Sequence, residues 1–106
     1  MFNDVIELLE VREFTGYGAE LQREISGRRK VYANVKTVGY REFYQAAANG
    51  FKPTLVFTIA LYWEYQGEKM IEYNGELYDV IRMYRTKDGE NAEITVSAAV
   101  NMPEVI

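Results

Sequence analysis

Apolar and polar residues alternate along much of this chain, and alternation with a period of two marks strands with one buried face. The clearest run is 54–63. Leu55, Phe57, Ile59, Leu61 and Trp63 share one side, and Thr54, Val56, Thr58, Ala60 and Tyr62 share the other. The odd positions make the heaviest apolar face in the sequence and are expected to form the core. Residues 31–38 repeat the pattern, with Val31, Ala33 and Val35 on one side. Residues 69–73 read as another strand. The Asn74-Gly75 that follows favours a type I′ hairpin turn, because both central residues must take positive φ. Residues 77–86 form the return strand, Asp88-Gly89 marks a second tight turn, and 92–100 form the last strand, with Ile94, Val96, Ala98 and Val100 facing in.

Three stretches depart from this rule. In 4–14, Ile6 and Leu8 fall on one face and Leu9 and Val11 on the other. A β-bulge, or burial of both faces at one end, accounts for that pattern, and a short helix is the competing reading. Residues 15–29 hold three glycines among mixed charges and read as a long exposed loop or the tip of a hairpin, closed by Arg28, Arg29 and Lys30. In 39–49 the period changes: Phe43, Ala46 and Ala47 lie at helical spacing, as do Tyr40 and Tyr44, and Asn49-Gly50 is a suitable stop. One short helix is expected there.

The fold class that follows is mainly β: a small antiparallel six-stranded β-barrel or sandwich with one short helix and a long loop between the first two strands. With 106 residues there is room for one core. The expected organisation is a single domain over 1–106, with the barrel at 4–100 and a loose tail at 101–106.

Composition narrows the function. Hydrophobic residues make up 48% and charged residues 26%, which excludes a disordered tail. There is no cysteine and no histidine, so disulfides, Cys- or His-ligated zinc, thiol nucleophiles and His-based triads are excluded. A net charge of −4 argues against nonspecific nucleic-acid binding, which needs a positive field. No basic, apolar leader is visible, and the apolar run 55–63 is about half a membrane span, so a soluble, intracellular protein is expected.

Carboxylates from Glu7 to Glu93 are the remaining acid–base groups. A glycosidase-like pair would need two of them to meet across the sheet, and solvent-facing positions on half-buried strands are the plainer reading. Asp88-Gly89-Glu90-Asn91 lacks the spacing of a calcium loop, and Gly16-x-Gly18 lacks the rest of a phosphate loop. Turns explain both, and no metal or cofactor is expected. The tyrosines say more. Tyr62, Trp63 and Tyr65 cluster, and Tyr73, Tyr78 and Tyr84 lie on the later hairpin. Such rings serve as core, as a protein interface, or as a stacking platform for single-stranded nucleic acid. The acidic balance favours protein contacts. Arg82, Arg85 and Lys87 keep an OB-like nucleic-acid face as an alternative.

Several stretches resemble the head-tail joining proteins of tailed bacteriophages, the head-completion or stopper proteins of long-tailed phages and of prophages in Gram-positive bacteria. These stretches are the opening Asp4-Val5-Ile6-Glu7-Leu8, the segment Glu42-Phe43-Tyr44-Gln45-Ala46, the apolar strand from Thr54 to Tyr62, and the hairpin Asn74-Gly75-Glu76-Leu77-Tyr78-Asp79-Val80, with 78–96 around it. The resemblance runs from about residue 4 to 100. It implies a non-enzymatic virion protein, located in the virion neck and in the host cytoplasm during assembly. Copies would form a ring below the portal and its adaptor, retain the packaged DNA and dock the tail. The chain could be monomeric alone, with DNA passing through the channel without sequence-specific binding and no membrane partner. The expected ring or partner contacts are Glu20, Glu24, Arg28, Arg29 and Lys30, and charge reversal at Arg28 and Arg29 is expected to block assembly while sparing the fold. The expected channel-facing segment carries Tyr40, Tyr44, Phe51 and Lys52. A tail terminator or tail-completion protein is the neighbouring alternative, and a small enzyme with paired carboxylates is the remote one.

Overall fold

A computed structural model describes residues 2–15, 18, 21–38, 53–87 and 89–99. Six strands run through them: β1 (Asp4–Thr15), β2 (Leu21–Thr37), β3 (Pro53–Ile59), β4 (Met70–Tyr73), β5 (Glu76–Arg85) and β6 (Ala92–Ala98), with one 3₁₀ turn at Tyr62–Glu64. All neighbours are antiparallel. The order β1-β2-β3-β6-β5-β4 closes on itself where β1 meets β4. The expected helix at 39–49 and the tail at 101–106 lie outside the described residues.

The alternating positions do build the core. Ile6 and Leu8 from β1, Val31 and Ala33 from β2, Phe57 and Ile59 from β3, Ile71 from β4, and Ala92, Ile94 and Val96 from β6 are buried together. Phe57 is fully buried and meets Tyr73 and Tyr78 edge-on, with ring centroids 5.4 and 6.2 Å apart. Edge-to-face geometry sets the positive ring edge against the negative face. At the β4–β5 hairpin, Asn74 and Gly75 hold φ of 51° and 79°, the signs that the type I′ turn requires.

β1 is a strand, and its broken alternation has the two causes named above. The β1–β2 register shifts after Glu10, which faces Gly27 while Val11 faces Ile25. Leu8 points into the barrel. Leu9 points outward and is equally buried, in a second cluster with Ile25 and Met70, flanked by Val11, Leu77 and Ala99.

Three expectations change. The segment 15–29 is the hairpin rather than a long loop: β2 begins at Leu21, and pairing runs out to Thr15 opposite Leu21, which leaves 16–20 as the connection. The strand expected over 54–63 ends at Ile59, opposite Ala33 of β2 and Ala92, the first residue of β6. The chain then turns through Tyr62–Glu64, so Trp63 is 52% exposed instead of in the core. Ala98 is exposed at the end of β6, and Val100 lies outside the described residues.

Candidate functional site

Beyond the closed barrel, β1 and β2 continue as a two-stranded arm. β1 pairs with β4 only at Glu7–Leu9, and β2 pairs with β3 only at Ala33–Thr37. Past those points each strand has, among the described residues, one partner: the other strand of the arm. The bulge bends this ribbon. Ser26 and Gly27 together oppose Glu10, and the Ser26 hydroxyl donates to the Glu10 carbonyl at 3.2 Å. A Cβ at Gly27 would stand 3.1 Å from Glu10 Oε2, a tight approach that glycine avoids.

One face of the arm lies on the barrel. Val11 and Ile25 join the outer cluster, Arg23 pairs with Asp79 at 3.0 Å, and Lys69 reaches Glu13 at 3.5 Å. On the other face Arg12 pairs with Glu24 and stacks over Phe14, 5.7 Å from the ring centroid. The cross-strand pairs Arg12–Glu24 and Glu13–Arg23 each set opposite charges face to face, which supports the ribbon.

The basic run Arg28, Arg29, Lys30 is not one patch, because successive strand residues point to opposite sides. Arg28 faces outward between Glu7 and Glu72, at 3.1 and 2.8 Å. Those two carboxylates sit directly opposite each other on β1 and β4, so the guanidinium relieves a like-charge contact. The hydrogen bonds to Glu7 and then Glu72 hold the Arg28 pKa above its ordinary value. Arg29 points to the barrel mouth, where it donates to the Glu64 carbonyl and to Glu68 Oε2, the latter at 2.6 Å. Lys30 is exposed. Arg28 and Arg29 are therefore structural ion-pair partners, and reversing their charge is expected to disturb the fold as well as any contact. Of the other expected contacts, Glu24 is largely covered and paired with Arg12. Glu20 and the expected channel residues Tyr40, Tyr44, Phe51 and Lys52 lie outside the described residues.

Glu68, which no spacing in the sequence singles out, organises the mouth. It is 9% exposed. It accepts from Arg29 through one oxygen and from the Gln66 amide through the other, at 2.5 Å, and its carbonyl receives the Tyr65 hydroxyl at 2.6 Å. Burial, then the Glu68 charge, raises the Tyr65 pKa. An open, polar cleft of about 300 Å3 lies beside this loop, lined by Glu10, Val11, Gln66, Gly67, Glu68 and Lys69. Among the described residues no group of three or more acidic ligands could hold a metal.

The aromatic cluster divides. Tyr73 and Tyr78 pack against the core. Tyr62 and Trp63 meet edge-on at 5.2 Å, and Arg85 lies over the Tyr62 ring at 4.1 Å. Asp88 lies outside the described residues. The rest of its segment closes as a turn, with Gly89 at φ 98° donating to the Thr86 carbonyl. Among the described residues no helix is long and apolar enough to cross a membrane. No protein-family model and no curated protein matches the chain.

Proposed function

We propose that this chain is a structural subunit of a phage or prophage neck, a head-completion or stopper protein that forms a ring below the portal and adaptor, retains DNA and docks the tail. The observation that carries the reading is a filled barrel with a charged ribbon extending from it. The barrel interior is occupied by Phe57 and its neighbours, and its mouth by Arg29 and Glu68, so the described body offers packing and edges in place of a reaction centre. The hairpin whose sequence resembles that of head-tail joining proteins, Asn74 to Val80, forms the tight turn that Asn74-Gly75 requires.

Co-sedimentation with DNA-filled, tailless capsids of the cognate phage tests this. Stoichiometric binding that slows DNA release is expected. Binding to isolated tail tubes instead would move the protein to the tail side, as a terminator or completion subunit. One observation favours a second reading: Arg85 over Tyr62, beside the exposed Trp63, resembles a stacking platform for single-stranded nucleic acid. Salt-dependent binding of a single-stranded oligonucleotide, lost in Trp63→Ala, is the result that reading requires.

A further inference from the structure

We infer that the arm is a strap hinged at the bulge: it lifts off the outer side of β4 and β5 while the barrel stays folded, and the Arg23–Asp79 and Glu13–Lys69 ion pairs latch it down. The parts of a protein that open locally are those with few buried apolar contacts and little main-chain bonding to the rest. The arm meets that description. Past Glu10 on β1 and before Gly27 on β2, the ladder runs between the arm's own two strands. Among the described residues no strand pairing joins that part to β4 or β5.

Side chains hold the arm down instead. Ile25, 7% exposed, fits against Leu9 and Met70, with Val11 and Leu77 beside it. The Arg23 and Asp79 side chains are 15% and 28% exposed, so salt screens their attraction only in part. Glu13 and Lys69, at 3.5 Å and more exposed, make a looser second contact. The hinge is already built. The register shift after Glu10 sets Ser26 and Gly27 together opposite one residue, which breaks the regular ladder between barrel and arm. Lifting the arm wets Ile25 and Met70 at once, so the closed form is the ground state. The open form is a minor one, and the two ion pairs set its population. The device belongs to the single chain and stands apart from the neck reading.

The chain has no cysteine, so one introduced thiol reports one place. Met70→Cys puts a thiol beneath the strap, Ile25→Cys puts one on its underside, and Ala92→Cys puts one in the barrel, all at buried positions. Each is labelled with dithionitrobenzoate in urea below the unfolding transition, and each rate is divided by that of the same thiol in the unfolded protein. The two strap thiols are expected to react at least about ten-fold faster than the barrel thiol. Their rates should depend little on urea, because a local opening exposes little surface. Asp79→Asn added to either strap variant is expected to speed labelling several-fold at low salt. Added salt should speed it in the parent and less in the Asn variant. Strap thiols that share the rate and urea dependence of Ala92→Cys would overturn the inference, since the arm would then leave only when the whole fold does. An opening that neither Asp79→Asn nor salt alters would remove the latch. The two strap thiols lie on the two sides of one contact, so either variant carries the test where the other fails to fold.

Discussion

Around the apolar core, individual charged residues are held by specific partners: Arg28 by Glu7 and Glu72, Arg29 by Glu68 and the Glu64 carbonyl. Arg29→Ala leaves Glu68 buried without its cation and should cost about 1–3 kcal/mol. Adding Glu68→Gln should return part of that loss, and a double-mutant cycle by urea unfolding measures the coupling. Glu93 offers a pH test. The Tyr84 hydroxyl donates to it, and Lys36 reaches it at 3.2 Å. The Tyr84 bond, with help from Lys36 and against the opposing effect of burial, holds the Glu93 carboxyl below its ordinary range. A depressed carboxylate stabilises the fold above its unfolded pKa, and that contribution is lost as pH falls through the lower folded value. Carboxyl NMR titration should show Glu93 titrating low in the native protein and moving upward in Tyr84→Phe. An unchanged titration would remove Tyr84 as the cause. None of these partners is visible in the sequence. Arg28, Arg29 and Lys30 read as one cluster because adjacency in sequence hides the two sides of a strand, and Arg29 finds Glu68 only once the loop after β3 crosses the mouth.

At the scale of elements, what reads directly is what local periodicity controls. The inward set of β2 and β3 and the Asn74-Gly75 turn are legible because alternation and positive φ are local constraints. The arm is ambiguous because its strands are held by cross-strand charge pairs and by a bulge, and its apolar residues Val11, Phe14, Leu21 and Ile25 are widely spaced. The end of β3 was misjudged for the opposite reason. Alternation continues through Leu61 and Trp63, but pairing of β3 ends at Ile59: β6 begins opposite it at Ala92, and β2 runs on from Ala33 with β1 as its partner. The two faces of β1 supply an element-level prediction. Leu8 and Leu9 belong to separate buried clusters on opposite sides of the sheet. Leu8→Ala and Leu9→Ala should therefore each cost about 2–5 kcal/mol in urea unfolding. A near-neutral Leu9→Ala would mean that the outer cluster contributes little. Gly75→Ala places a side chain at φ 79° and should cost roughly 1–2 kcal/mol, slipping or loosening the β4–β5 hairpin.

For the molecule as a whole, the barrel is a solid body whose inward side chains fill it. Closure also has a temporal side. β1 and β2 are joined by a short connection and can pair once the first third of the chain exists. The other neighbour of β1 is β4, about sixty residues further along. Contacts of that separation make folding slow, on the order of milliseconds to seconds for β-barrels of this size. Stopped-flow emission of the single tryptophan, Trp63, seated on Tyr62 after β3, should report a late phase as the seam closes. During synthesis on the ribosome, then, β1 waits with one side unpaired while the rest of its sheet is still being made. Glu7, Glu10 and Glu13 stand along that waiting strand. Their mutual repulsion keeps two nascent chains from pairing through β1, so the acidic strand guards the unfinished protein.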